Sequence, residues 1–464
     1  MTNLKSKQLV AAPLLTEPIP VMIRKIGIPV GIGAFFNTMF NVVDTIYGGL
    51  ISDEVLAALS LSFPIAFIII ALGFGLSIGG TALIGNALGS NDRKLAQAFA
   101  VQSVAFSIFI GLITTAIILP VAPALLSFLG ATDPAYRQLA LNYINPLFYG
   151  AVFFLVVQAL FASLNALGNT LPGRNFLIAG FFLNLLLNPW FIFGGFGLPA
   201  MGIQGIAWAT VLVQFLGCIY AAYELSKAGL VTRASLKRDW VPRFEMFGRI
   251  AKQGLPNTID VLGVSVGFFI LTYYISQFGQ NSVAAFGAAS RIEQLALLPV
   301  LGINTAVLAL VAQNNGAGNI GRVHETLRIG IRFGAILMLS TMVIVIAFAR
   351  PLMMMFTSDP EIIQVGVEYI RIRSFGLIPN AIFFAASNTL RGLKRPMWPL
   401  FWSMIRFVVL PWLFIVIFVT WQGYGLTAIW VTSTAAFLIV AIGTLFTAYR
   451  LLPSLNDVKL KTGT

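Results

Sequence analysis

The sequence contains very little charge. Only 10% of its 464 residues are Asp, Glu, Lys or Arg, whereas 58% are hydrophobic, and soluble domains carry about 25% charged residues. So few charges cannot cover the surface of a soluble protein of this length. The composition therefore excludes a soluble enzyme or binding domain and predicts an all-α polytopic membrane protein, since twelve helices of about 20 residues fit within the chain.

Cysteine and histidine are each present once, as Cys218 and His324. A single cysteine forms no internal disulfide, and a single histidine leaves zinc sites and Ser-His or Cys-His pairs without their partners. No GxxxxGK[ST] phosphate loop occurs either. We therefore expect no enzymatic activity, no metal, no cofactor and no ATPase subunit, so that any transport is driven by an ion gradient.

An excess of basic residues gives the chain a net charge of +13. A strong positive charge is also common in nucleic-acid-binding proteins. The basic residues gather in alternate loops, with seven between Lys227 and Lys252 and further ones at Arg391 to Arg395, whereas Gly48–Glu54 and Trp421–Gly425 have none. This alternation is the positive-inside pattern. We therefore predict no nucleic-acid partner and a multi-pass protein of the plasma (inner) membrane, embedded in the lipid bilayer with both termini in the cytoplasm.

Apolar runs recur along the whole chain and mark twelve predicted membrane spans. They lie near residues 22–47, 56–88, 96–120, 138–168, 176–195, 203–226, 253–276, 284–313, 326–349, 362–390, 397–420 and 426–450.

The two halves of the chain resemble each other. Gly27-Ile28-Pro29 matches Gly254-Leu255-Pro256 at an offset of 227, Tyr143 matches Tyr369, and Asn184 matches Arg406 as the offset drifts to 222. A repeat of six spans ends on the face where it began, so the halves are parallel and suited to alternating access by rocking. The predicted organisation is an N-terminal tail (1–20), a six-helix bundle (21–226), a cytoplasmic linker (227–249), a second six-helix bundle (250–450) and a C-terminal tail (451–464).

Prolines and paired glycines predict bends and close helix contacts within these spans. Pro29 and Pro256 fall inside the first span of each half, where loss of a backbone hydrogen bond permits a hinge or a static kink. Glycines four residues apart allow helices to pack closely. Such pairs are Gly27/Gly31, Gly75/Gly79, Gly85/Gly89 and Gly330/Gly334.

Ionisable residues within a membrane are costly and are candidates for function. Asp44 is the only charged residue between Gly33 and Tyr47, and Asn37 and Asn41 share its helical face by their spacing. Asn184 and Asn188 lie one turn apart in the fifth span. These residues predict a polar pocket around one carboxylate, which a proton or a small cation neutralises. The alternative is a hydrogen-bonded contact that only joins two helices.

The second half carries a different set of charges: Asp260, Arg291, Glu293 and Arg406. They form either a second transport site or a structural network of ion pairs. Arg406 needs a partner inside the membrane, and we expect Asp260 or Glu293 to provide it.

Three stretches of the sequence resemble the multidrug and toxic compound extrusion (MATE) family. They are the run from Asn184 to Gly194, the run from Gly205 to Thr210, and Gly254-Leu255-Pro256. The resemblance covers about residues 20–450 and is closer to the DinF-like branch. It implies twelve helices in two bundles and export of drugs in exchange for protons or sodium ions. The NorM-like branch uses acids of the second half and fits less well, because Phe375 to Leu390 contains no acid.

The resemblance also implies roles for particular residues. Asp44 matches the first-helix acid that takes the coupling ion, and Asn184 and Thr210 match its polar partners. Several relatives carry Asp at the position of Asn188, so this pocket has one carboxylate instead of two, which favours proton over sodium coupling. Together with Asn41, these residues form the predicted coupling site.

The leading interpretation is a monomeric secondary antiporter that exports amphipathic, often cationic drugs. Its candidate substrate-pocket residues are Asn37, Tyr47, Gln158 and Asn165. The alternative is a flippase for lipids or lipid-linked sugars on a related fold, which should have a wide, cation-rich cavity. A scaffold or receptor without transport activity is a third class, against which the buried acids and the internal duplication argue.

Overall fold

The computed structural model describes residues 13–195 and 197–452, so parts of both predicted tails, residues 1–12 and 453–464, lie outside the described residues. Up to residue 239 the helices are α1 (Pro13–Thr16), α2 (Ile19–Ile51), α3 (Asp53–Gly89), α4 (Arg93–Phe128), α5 (Pro134–Tyr149), α6 (Ala151–Ala166), α7 (Leu171–Phe193), α8 (Ile203–Lys227) and α9 (Arg233–Asp239).

The remaining helices are α10 (Phe244–Ser276), α11 (Gln280–Gly316), α12 (Ile320–Ala347), α13 (Ala349–Met354), α14 (Pro360–Arg373), α15 (Leu377–Gly392), α16 (Met397–Met404), α17 (Leu410–Ile415) and α18 (Leu426–Leu451). A 3-10 turn, Ser374–Gly376, joins α14 to α15, and π-helical turns occupy Ile405–Val409 and Val416–Trp421. Within the described ranges the only β-structure is an isolated bridge between Gly195 and Leu198. The predicted all-α class is confirmed.

Ten helices of the described chain are long and apolar enough to cross a membrane, and the bent pair α5 and α6 raises the number to eleven. The sequence predicted twelve spans. The lower number comes from the predicted runs 138–168 and 362–390, each of which is broken into two shorter helices. The axes of α5 and α6 differ by 46°.

Both interruptions fall at the same place in the repeat. The first is at Gly150, seven residues after Tyr143, and the second ends at Gly376, seven residues after Tyr369. A proline lies close to each break, Pro146 before the first and Pro379 after the second. Because proline lacks an N–H and crowds the carbonyl four residues earlier, it weakens the helix at these points. The duplication therefore preserved a broken helix in each half.

The chain forms two compact units. The N unit consists of Ile32–Ile84 and Asp92–Thr258, and the C unit consists of Met1–Gly31, Gly85–Asn91 and Ile259–Thr464. Helices α2, α3 and α10 each contribute residues to both units. The bundle and linker boundaries near residues 226 and 250 stay a prediction.

The predicted linker contains a helix that is bound to the rest of the N unit. Thr232 and Ser235 form a capping box at the start of α9, which satisfies two backbone N–H groups that would otherwise lack partners. The amide of Gln102 in α4 donates to the carbonyl oxygens of Asp239 at 2.5 Å and Val241 at 2.8 Å. These contacts hold the polar segment against α4.

Pro29 and Pro256 lie inside α2 and α10, and both are buried. Each helix continues on both sides of its proline, as the sequence predicted. Their role as hinges stays a prediction.

Close contact between helices depends on several of the paired glycines. In the N unit a methyl group added at Gly79 would lie 2.9 Å from the backbone nitrogen of Gly254. In the C unit one added at Gly89 would lie 1.9 Å from the carbonyl oxygen of Gln313, and one at Gly302 only 2.1 Å from that of Gly27. The backbones touch where no side chain fits, as in other small-residue helix contacts.

Gly302→Ala should therefore destabilise the protein by about 1–3 kcal/mol, because the added methyl group forces α11 away from its neighbour. Thermal unfolding of the purified protein in detergent, followed by intrinsic fluorescence, measures this change. Gly287→Ala in the same helix is the control, since a methyl group there meets no atom within 4 Å. Equal melting temperatures for the two variants would contradict the assignment.

Candidate functional site

Asp44 is a buried acid in the C-terminal third of a long, mostly apolar helix. It lies in the N-unit part of α2, and only 8% of its surface is exposed. Helices α7 and α8 of the same unit supply its polar neighbours, Asn184, Asn188 and Thr210, all three of them buried. These four side chains are therefore brought together entirely within the N unit, by three of its helices.

The two asparagines fix one oxygen of the carboxylate. Asp44 Oδ1 accepts hydrogen bonds from Asn184 Nδ2 at 3.0 Å and from Asn188 Nδ2 at 2.8 Å. Asn188 Nδ2 also donates to Asn184 Oδ1 at 3.1 Å, so the two amides hold each other in place. The one-turn spacing of the asparagines along α7 thus presents two donors to a single oxygen.

The other oxygen, Asp44 Oδ2, is held much less firmly. Its contact with Thr210 Oγ1 is 3.4 Å long, beyond the usual range for hydroxyl hydrogen bonds. That hydroxyl has one proton, which it donates to the carbonyl oxygen of Ile206 at 3.0 Å. Oδ2 is therefore the oxygen that can take a proton, and the Thr210 hydroxyl oxygen can then accept the new hydrogen bond.

One further polar atom beside Asp44 lacks a partner. The side-chain oxygen of Asn188, Oδ1, is buried and makes no hydrogen bond within the described part of the chain. Buried polar atoms without partners are uncommon and call for an explanation. An amide oxygen next to a carboxylate is also a ligand type that a hard cation accepts.

Tyr143 lies within electrostatic reach of this site, although no role was predicted for it. It is in α5, seven residues before the break at Gly150, and the charge of Asp44 acts on its hydroxyl. The sequence marked this tyrosine only as a position repeated at Tyr369. That repetition was the available signal, because the interrupted helices of duplicated transporters carry their binding sites.

The structure does not bring the predicted residue Asn41 to the carboxylate. Asn41 is exposed, and its amide donates to the carbonyl oxygen of Asn37 at 2.8 Å, within the same helix. Asn37 is exposed as well. Tyr47 binds α7 instead, donating to the carbonyl oxygen of Leu185 at 3.1 Å. Asn37, Asn41 and Asp44 share one face of α2, but of these three only Asp44 is buried.

The other two substrate-pocket candidates lie in α6. Gln158 is half-buried and packs against Gly73 of α3, where an added methyl group would lie 3.1 Å from its Cγ. Asn165 is half-buried in the last turn of α6. Their contact with a substrate stays a prediction.

The acids of the C unit have arginine partners. Glu293 accepts from Arg373 at 2.8 Å and from the Tyr369 hydroxyl at 2.5 Å. Asp260 pairs with Arg391, a residue that the sequence assigned to a cytoplasmic loop. The side chain of Arg391 is instead directed into the unit and buried.

Neither acid pairs with Arg406, which corrects the expectation from the sequence. Arg406 donates to the amide oxygen of Asn380 at 2.7 Å. The reason is that Arg373 and Arg391 already compensate the two carboxylates. Arg291 is exposed and lies outside this network.

A model of the MatE family matches this chain twice, over residues 29–190 and 256–417. The two matches begin 227 residues apart, which is the offset of the internal repeat. Together they cover more than half of the chain.

Individual relatives and a solved structure agree with this match. The chain is 28% identical to the "Probable multidrug resistance protein NorM" of Thermotoga maritima, over 80% of this chain and 78% of that protein. It is 26% identical to the "FAD transporter" of Shewanella oneidensis, over 86% and 87% of the two chains. A solved MOP superfamily transporter from Pyrococcus furiosus superposes with a TM-score of 0.88 at 26% identity, covering 97% of this chain and 99% of its own.

Glu293→Gln should destabilise the C unit by about 3–5 kcal/mol, because it leaves the buried Arg373 without a counter-charge. The double variant Glu293→Gln/Arg373→Met should regain most of the lost stability, since both charges are then gone and Tyr369 keeps an acceptor. Thermal unfolding in detergent compares the two, with the exposed acid Glu361→Gln as the control. A double variant less stable than Glu293→Gln alone would show that the pair does not act as a unit.

Proposed function

The chain belongs to the MatE family, and on that premise we propose that it is a secondary active antiporter that exports amphipathic, often cationic compounds in exchange for protons. The single observation that carries the proposal is Asp44, a buried carboxylate with one oxygen fixed by two amides and the other free to be protonated. Relatives named as multidrug resistance or export proteins support the substrate class.

Coupling follows from the cost of a charge at this position. When Asp44 is ionised, a buried negative charge attracts a cationic substrate and is costly without one. When Asp44 is protonated, that attraction is lost and the site becomes neutral. Binding of the proton and of the substrate are therefore mutually antagonistic, and such coupling is reciprocal. A proton that enters from outside thus promotes release of the compound there.

The same geometry gives reasons to prefer a proton to a sodium ion. Asp44 is the only carboxylate of the site, and the amide nitrogens of Asn184 and Asn188, which cannot bind a cation, face its Oδ1. A sodium ion would have to bind Oδ2, the Thr210 hydroxyl and the unpartnered Asn188 Oδ1 with a single compensating charge. We therefore assign the coupling role to the proton.

We also propose that the protein acts as a monomer in the inner membrane with both termini cytoplasmic, and that the two family repeats provide alternating access. A flippase for lipids or lipid-linked sugars is the alternative. The names of the relatives favour export of drugs, and one named FAD transporter extends the range of compounds to consider.

Asp44→Asn should reduce pH-gradient-driven efflux by about tenfold or more, because an amide cannot take up and release the coupling proton. The measurement is efflux of a fluorescent cationic dye from proteoliposomes under a pH gradient alone. Glu54→Gln, which removes an exposed acid at the start of α3, is the control and should retain the wild-type rate. Undiminished efflux by Asp44→Asn would remove Asp44 from the mechanism.

Asn188→Asp should increase the response of efflux to a sodium gradient by about fivefold or more, because a second carboxylate beside Asp44 adds an anionic oxygen ligand for Na⁺. Efflux is measured with a sodium gradient alone, for the wild type and the variant. The wild type should show little response. A wild type driven equally well by sodium would overturn the assignment of the proton.

A further inference from the structure

The C unit contains an uncompensated positive charge. Three of its arginines, Arg373, Arg391 and Arg406, are buried, with exposures of 7%, 6% and 2%. The first two are paired with Glu293 and Asp260. Among the described residues, no carboxylate forms an ion pair with Arg406, whose hydrogen-bond acceptor is the neutral side chain of Asn380. The set therefore holds one more cation than its acids balance.

Arg406 lies where an uncompensated positive charge is energetically unfavourable. It lies near the middle of the membrane span Met397–Trp421, in the π-helical turn Ile405–Val409. Local π-helical turns of this kind are frequent at functional sites. Its Nε and Nη1 atoms are buried and have no hydrogen-bond partner within the described part of the chain. Three of the five N–H donors of a guanidinium are on these two atoms.

Aromatic rings stabilise the cation but do not satisfy these donors. The guanidinium carbon lies 3.9 Å from the ring centre of Phe437, 4.5 Å from that of Phe407 and 4.7 Å from that of Phe383. Ring faces attract a guanidinium through their electron density, whereas its N–H groups are strong donors in its own plane, suited to carboxylate and phosphate oxygens. The rings thus supply no oxygen acceptor for these donors.

A second arginine, whose charge Glu293 balances, lies at the same aromatic ring. The guanidinium carbon of Arg373 lies 4.2 Å from the centre of the same Phe437 ring, and its Nη1 also lacks a partner in the described structure. A small cavity lies beside Arg373 and is lined by Glu293, Tyr369, Arg373 and Ser374. Both arginines therefore contribute unpartnered donors around one aromatic ring.

We propose that Arg406 binds a monovalent anionic group, supplied either by the carboxylate of an amphipathic compound or by chloride. A single negative charge balances the excess cation, and an oxyanion or halide accepts from Nε and Nη1. The site goes beyond proton coupling at Asp44 and extends the substrate class to anionic and zwitterionic amphiphiles.

The test is equilibrium binding to the purified full-length protein in detergent, with no gradient. The probes are dansylglycine and its methyl amide, which differ in the carboxylate charge, and binding is followed by dansyl fluorescence. The wild type should bind the acid about tenfold more tightly than the amide, a difference of about 1.4 kcal/mol. Because no gradient is involved, failure of this test is distinguishable from failure of coupling through Asp44.

Arg406→Gln should weaken binding of dansylglycine about tenfold and change binding of the amide less than twofold. Arg371→Gln, which removes an exposed arginine of α14, is the matched control and should bind both probes like the wild type. Arg406→Lys keeps the charge with fewer donors, so it should weaken binding of the acid by a few fold even if Arg406→Gln fails to fold.

Competition separates the two sources of the anion. Displacement of dansylglycine by sodium chloride, but not by sodium gluconate, assigns the site to chloride as well as carboxylate. Retention of the probe in excess chloride assigns it to the carboxylate of an amphiphile. The proposal is overturned if the wild type binds the acid no better than the amide, or if folded Arg406→Gln and Arg406→Lys bind both probes like the wild type.

Discussion

An ionised side chain buried in an apolar helical protein is costly unless hydrogen bonds or an opposite charge compensate it. Three acids of the described chain, the buried Asp44 and Asp260 and the half-buried Glu293, meet that requirement within their own units. Asp260 and Glu293 have arginine partners, whereas Asp44 has only neutral amides and a hydroxyl. Of these three acids, Asp44 is thus the one whose charge no arginine balances. This difference supports the proposal that Asp44 takes the coupling proton.

Each broken helix carries a tyrosine near a polar cluster, the one around Asp44 or the one around Glu293. Within a membrane, an interrupted helix leaves backbone groups that must be satisfied inside the protein or beside water. The breaks at Gly150 and Gly376 recur at the same place in each repeat, and each follows a tyrosine near an acid. Tyr369 donates to Glu293, and Tyr143 is within electrostatic reach of Asp44. A costly backbone feature retained in both halves thus coincides with the polar sites.

Much of this arrangement could be predicted from the sequence, because the cost of burying charge is visible in composition. A lone acid in an apolar run and two asparagines one turn apart indicated the cluster around Asp44, and the resemblance to the MATE family added Thr210. Periodicity shows which residues share a face, but not how much of that face a neighbouring helix covers, so the exposure of Asn41 could not be predicted. The partner of an arginine depends on distances across the fold. Arg391 was therefore assigned to a loop, although its side chain reaches Asp260.

The two halves share a scaffold but differ in the sign of their charge. At the repeat position where the N unit has Asn184 beside an acid, the C unit has Arg406 beside aromatic rings. A guanidinium stays protonated under physiological conditions, so a proton gradient cannot change its charge, whereas it can change that of Asp44. With Asp44 proposed as the coupling group and Arg406 as an anion site, the first half responds to the gradient and the second selects ligands by their charge. Under these proposals, duplication followed by divergence separates energy coupling from recognition without requiring a new fold.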